Sequence, residues 1–152
     1  MVGDPDDERQ ERRQGSSGHR SVPRAADVRI EAWGTSRERC MAEAVLGVVE
    51  CFADVGAVRP RAVERIRLAG AGDDDLLSAL LDEVVGRLET YGEVPVDVEV
   101  DATDDGLDVR LAVARPADAE GAGVLPRNAS PHELRIAPDA YGWSCAVTVD
   151  VM

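Results

Sequence analysis

Between residues 76 and 113 the apolar period of the chain changes once, from that of a helix to that of a strand. Leu76, Leu77, Leu80, Leu81, Val84, Val85 and Leu88 recur at helical spacing and form a stripe that needs a packing partner. Beyond Gly92 the period becomes two. Val94, Val96, Val98 and Val100 alternate with other residues, Asp104-Asp105-Gly106 turns the chain, and Leu107, Val109, Leu111 and Val113 alternate back. A helix over about 75–90 followed by a hairpin with one apolar face points to helices laid on antiparallel sheet.

The flanks extend this pattern. Ala26 to Ala32 alternates, with Val28, Ile30 and Ala32 on one face and Asp27, Arg29 and Glu31 on the other. Thr35 and Glu38 have capping-box spacing, and Met41, Ala44, Val45, Val48, Val49 and Phe52 predict a helix over 36–54. Residues 62–68 read as a short strand ended by Ala69-Gly70-Ala71-Gly72, and Asp73 to Asp75 sit where a helix start favours negative charge. A Pro, Ala and Gly-rich loop over 115–131, a short strand over 132–137 and a turn at 138–142 lead to a last strand, Trp143 to Val151. The fold class is α+β: a single domain, residues 24–152, with two amphipathic helices packed on mainly antiparallel sheet. Residues 1–23, polar and without apolar period, are expected to be a disordered tail.

Charge narrows the partners. The chain has 152 residues and a net charge of −13, and all 17 of its basic residues are arginines. Its first 23 residues hold five acids against four arginines, so almost all the negative charge belongs to the domain. Such a surface repels phosphate backbones, which argues against direct nucleic-acid binding and for basic protein surfaces or cations as partners. The three cysteines form no CxxC pair, and no apolar run approaches a membrane span or signal segment. A reducing cytoplasm is the expected location.

Catalytic motifs are scarce. No nucleophile-and-base signature, phosphate-cradling loop or zinc spacing occurs, and the histidines are two, His19 in the expected tail and His132. Asp73 to Asp75 and Asp104-Asp105 are accounted for by helix-start and turn chemistry. Asp27 and Asp150 are different. Each lies in a strand on the face away from the apolar alternation, one near the first residue of the domain and one near the last. Should those strands be neighbours, the two carboxylates converge as oxygen ligands suited to a hard cation.

In order and spacing these pieces resemble the archease family. Arg24-Ala25-Ala26-Asp27-Val28 resembles its opening His-Thr-Ala-Asp-Val, and Asp75-Leu76-Leu77 with Asp82-Glu83 resembles its second-helix segment. Gly142-Trp143 and the closing Val149-Asp150-Val151 resemble its last strand. The resemblance implies a non-enzymatic partner of an RtcB-type RNA ligase in tRNA splicing and RNA repair, promoting the ligase's guanylylation by GTP and its turnover. It also implies a divalent cation, Ca²⁺, on Asp27, Asp150 and the backbone of Val151. Three departures stand out: Arg24 replaces a histidine, Ala25 replaces a threonine, and Arg127-Asn128-Ala129 replaces a lysine-led segment. Arg24 cannot ligate a metal, and its charge can pair with Asp27 in the cation's place. Two further readings follow: a diverged binding module without metal or ligase, and a metal-dependent phosphoester hydrolase using Asp27, Asp150 and His132.

Overall fold

The computed structural model describes residues 16–52, 59–114 and 131–150. Among these, nine elements follow in the order β1 (Gly18–Pro23), β2 (Asp27–Gly34), α1 (Arg37–Glu50), β3 (Ala62–Ala69), α2 (Asp73–Tyr91), β4 (Val94–Ala102), β5 (Gly106–Ala114), β6 (Pro131–Asp139) and β7 (Gly142–Asp150). They form two antiparallel sheets, one ordered β1-β2-β7-β6 and the other β3-β5-β4. Helix α1 packs on β2, β7 and β4 and so joins the sheets, while α2 packs mainly on β6. Ile30 and Val147 from one sheet, Val109 and Leu111 from the other, and Val45, Val48, Leu77 and Leu80 from the helices lie fully buried in one core. The α+β architecture follows from the two apolar periods read in the sequence.

Several boundaries differ from expectation. The segment Gly18–Pro23, read as part of a disordered tail, is a strand along the full outer edge of β2. Side-chain pairing supplies what its composition lacks: Arg20 Nε meets Glu31 at 2.8 Å, and the His19 ring lies between Glu43 at 3.0 Å and Glu50 at 2.8 Å on α1. Hydrogen bonds to Glu43 first, then Glu50, raise the His19 pKa to about 9. Gly47 makes the close approach possible, because a Cβ there would stand 2.5 Å from Ile30 Cγ2 and 3.2 Å from the His19 ring.

The first helix is capped by Ser36, whose Oγ accepts from the Arg39 N–H at 3.1 Å, and not by Thr35 as its spacing with Glu38 suggested. Helix α2 starts at Asp73, earlier than expected, and closes at Gly92, whose φ of 66° lets its own N–H donate to the Leu88 carbonyl and the Glu93 N–H to the Arg87 carbonyl. Its first-turn acids do more than meet the helix dipole. Asp73 accepts from Arg37 of α1 at 2.8 Å, and Asp74 accepts from the Ile136 N–H of β6 at 3.1 Å. In β4 a register shift between Pro95 and Asp97 takes Val96 out of the buried row, while Val94 and Val98 stay in it. No helix among the described residues is long and apolar enough to cross a membrane.

Candidate functional site: a carboxylate pair on the outer sheet face

Strands β2 and β7 are neighbours, and their register sets Asp27 directly opposite Asp150. Val28, Ile30, Val147 and Val149 turn toward the core, so the two aspartates project from the sheet's other face. Side chains directly opposite on adjacent antiparallel strands have Cβ atoms about 5 Å apart, where like charges destabilise the pairing. Each carboxylate has a cationic or hydrogen-bonding answer. Arg24 Nε lies 2.6 Å from Asp27 Oδ1, held by a turn in which the Arg24 N–H donates to the Asp27 carbonyl at 2.9 Å. His132 Nε2 lies 3.0 Å from Asp150 Oδ1.

A buried hydroxyl ties these contacts together. Thr148, 2% exposed, receives Arg24 Nη2 at 3.4 Å and lies 3.3 Å from Glu133 Oε2. Thr148 thus links the Arg24–Asp27 pair to Glu133, and the His132–Asp150 pair stands beside them.

The hydrolase reading named His132 with the aspartates, but nothing in the sequence placed it near them; a bulge puts it beside Asp150. From Asp139↔Gly142 to Arg135↔Ala146 the β6–β7 register is regular, and extending it would set His132 opposite inward-facing Val149. A shift between His132 and Arg135 pairs it with outward-facing Thr148 instead. Glu133, inside the shift, takes φ 52°, a left-handed conformation that costs a non-glycine residue about 1 kcal/mol or more.

The arrangement bears directly on a cation. Two facing carboxylates are the right donors for Ca²⁺, which takes six to eight oxygens. Here the Arg24 guanidinium already bridges Asp27 and Thr148, and His132 occupies one oxygen of Asp150. Among the described residues no three His, Cys, Asp or Glu side chains gather as a ligand set. With Arg24 in place the described residues do not fit an open Ca²⁺ site. Val151, expected to contribute its backbone, lies outside the described residues, as does the Arg127-Asn128-Ala129 segment.

The archease protein family (MTH1598/TM1083) matches residues 19–151 of the chain. This chain belongs to the archease family. Two relatives called "probable protein archease", from Mycobacterium tuberculosis strains CDC 1551 / Oshkosh and ATCC 25618 / H37Rv, are each 46% identical over 136 residues, covering 90% of this chain and 76% of theirs. The solution structure of Methanobacterium thermoautotrophicum protein 1598 superposes with a TM-score of 0.70 over 88% of this chain and 99% of that one. At 21% identity that likeness speaks for the archease fold alone. Within the family match, β1 belongs to the archease domain from residue 19 onward, and the carboxylate pair joins its two ends.

Proposed function

We propose that this archease is a non-catalytic cofactor of an RtcB-type RNA ligase, promoting its guanylylation by GTP and its turnover in tRNA splicing and RNA repair. The family match supports the reading, and we assign its working surface to the outward carboxylate pair. Asp27 and Asp150 stand together, outward and solvent-reachable, on a domain that concentrates the chain's net charge of −13. A basic rim around the ligase's nucleotide site complements such a surface. Activation then requires that the archease bind the guanylylation-competent state of the ligase more tightly than the resting state, since only a difference in affinity shifts the population. Asp27 and Asp150 provide that difference by exchanging Arg24 and His132 for ligase cations.

A divalent cation is proposed as a competitor of the Arg24 guanidinium. If bound, it would be held by Asp27, Asp150 and the Val151 backbone and would supply positive charge in place of the Arg24 guanidinium. No step of the activation is assigned to it.

The test is single-turnover guanylylation of the host's own ligase with and without the archease. The expected result is a faster and more complete labelled ligase–GMP adduct; equal labelling would overturn the activator reading and leave a diverged binding module. The His132–Asp150 contact is the one observation that favours a hydrolase, so release of phosphate from GTP and from a generic phosphoester is measured with the archease alone. Turnover lost in Asp150→Ala would move the protein to that class.

A further inference from the structure

The outer face of the four-stranded sheet holds a second feature, which begins at Arg29, one row of side chains along from the carboxylate pair. Its floor is β7, where Ser144 and Ala146 are small, and its walls stand on β2 and β6. Arg29 and Glu31 rise on the β2 side, Arg20 adds to them from β1, and Arg135 faces them from β6, opposite Ala146. The trough between them encloses about 440 Å³, within the range of small-molecule sites.

Its charge is the reverse of the molecule's. Three arginines line it against one acid, a local excess of two positive charges on a chain of −13. That one carboxylate is divided, with Arg20 at 2.8 Å and Arg29 at 3.6 Å on its two oxygens. Arg135 is exposed and has no hydrogen-bond or ion-pair partner among the described residues. A third observation comes from Trp33, which lines the same trough under Arg20. Its Nε1 is a buried side-chain donor without a hydrogen-bond partner, in a residue 7% exposed. Gly18 of β1 packs against that edge of the indole, so Trp33 serves the trough as an apolar wall that carries Arg20 over its ring.

We propose that this trough binds a small phosphate-bearing anion, held by the forked donors of Arg135 and Arg29, which face each other diagonally over β7. The two arginines stand diagonally on strands separated only by β7, with Cα atoms about 12 Å apart, a span that two long side chains close over a floor of small residues. A phosphate group carries close to two negative charges at neutral pH and matches the local excess, and guanidinium forks suit its oxygens. Size follows from the surroundings. At physiological salt the field of the distant acids is screened beyond about 8 Å, so the arginines govern the trough itself. A nucleic-acid strand running on from it meets Glu133, Asp150 and Asp27, which repel further phosphates.

Calorimetric titration of the full chain with inorganic diphosphate, at about 0.15 M salt, tests this. Saturable binding is expected, weakened about tenfold or more in Arg135→Ala and in Arg29→Ala, because each removes charge-assisted hydrogen bonds. Arg110→Ala, an exposed arginine on the other sheet, is expected to bind as the unaltered protein does. Citrate, equally charged but without phosphate, is expected to bind more weakly than diphosphate. The proposal is overturned by the absence of saturable binding, by equal losses in Arg135→Ala and Arg110→Ala, or by citrate matching diphosphate. Tighter binding of a 5′-phosphorylated RNA oligomer than of diphosphate would overturn its restriction to small anions.

Discussion

At the scale of single residues, Arg24 decides how the carboxylate pair behaves. A guanidinium cannot be deprotonated at any accessible pH, so it remains a permanent rival to a metal ion at Asp27. Arg24→His removes that rival and leaves a neutral ligand. Ca²⁺ at a concentration 100 times its dissociation constant would then stabilise the fold by about 2.7 kcal/mol. The expected outcome in a thermal-unfolding titration is a rise in Tm with Ca²⁺ that is larger in Arg24→His than in the unaltered chain. Equal responses would show that Arg24 does not guard the site. His19 makes the other sharp residue-level expectation. Its pKa is raised from 6.5 to about 9 by Glu43 and Glu50, so its contribution to stability is fully present below pH 6.5 and lost as pH rises through 9. With solvent screening of the half-exposed Glu50, the contribution is on the order of 1–2 kcal/mol. Chemical denaturation at pH 6 and pH 10 is expected to show this loss in the unaltered protein, and a flatter profile in His19→Gln.

At the scale of elements, what the sequence made legible was governed by period. The stripe from Leu76 to Leu88 and the alternation around Asp104-Asp105-Gly106 state their own structure, and α2, β4 and β5 lie where those patterns put them. The placement of Asp27 and Asp150 on outward faces was legible too, because parity along a strand fixes the side on which each residue stands. Their adjacency was not, since pairing of strands from opposite ends of a domain leaves no mark in either. Strand β1 was missed because what holds Gly18–Pro23 is charge pairing with α1 and β2, which apolar patterning does not report. The position of His132, though not the residue itself, was missed for a subtler reason. Counting back from the β6–β7 turn brings it level with the end of β7, yet on the inward side, and only the bulge at Glu133 turns it outward. Packing between elements yields a further expectation. A Cβ at Gly47 falls 2.5 Å from Ile30 Cγ2, so Gly47→Ala forces α1 away from β2. A destabilisation of about 1–3 kcal/mol is expected in urea unfolding, although alanine is the better helix former.

At the scale of the whole molecule, two sheets and two helices bring residues from opposite ends of the archease domain onto one face. The helices cover the inner side of that sheet, and among the described residues its outer side carries Asp27 and Asp150 at one end with the arginine trough beside them. The net charge of −13 acts at this scale through encounter. Association with a basic ligase surface is expected to slow as salt is raised from about 0.05 to 0.5 M, with dissociation changing less, as measured by stopped-flow or surface-immobilised kinetics. The most direct measurement of the central claim is the rate of guanylylation of the host ligase in the presence of unaltered archease, Asp27→Asn, Asp150→Asn and the control Glu99→Gln. Glu99 is an equally acidic and exposed position on the other sheet. All three variants should unfold within a few degrees of the parent, and the expected result is stimulation retained in Glu99→Gln and lost in the two aspartate variants. Stimulation that survives in both, with the fold intact, would contradict the assignment of activation to the carboxylate pair.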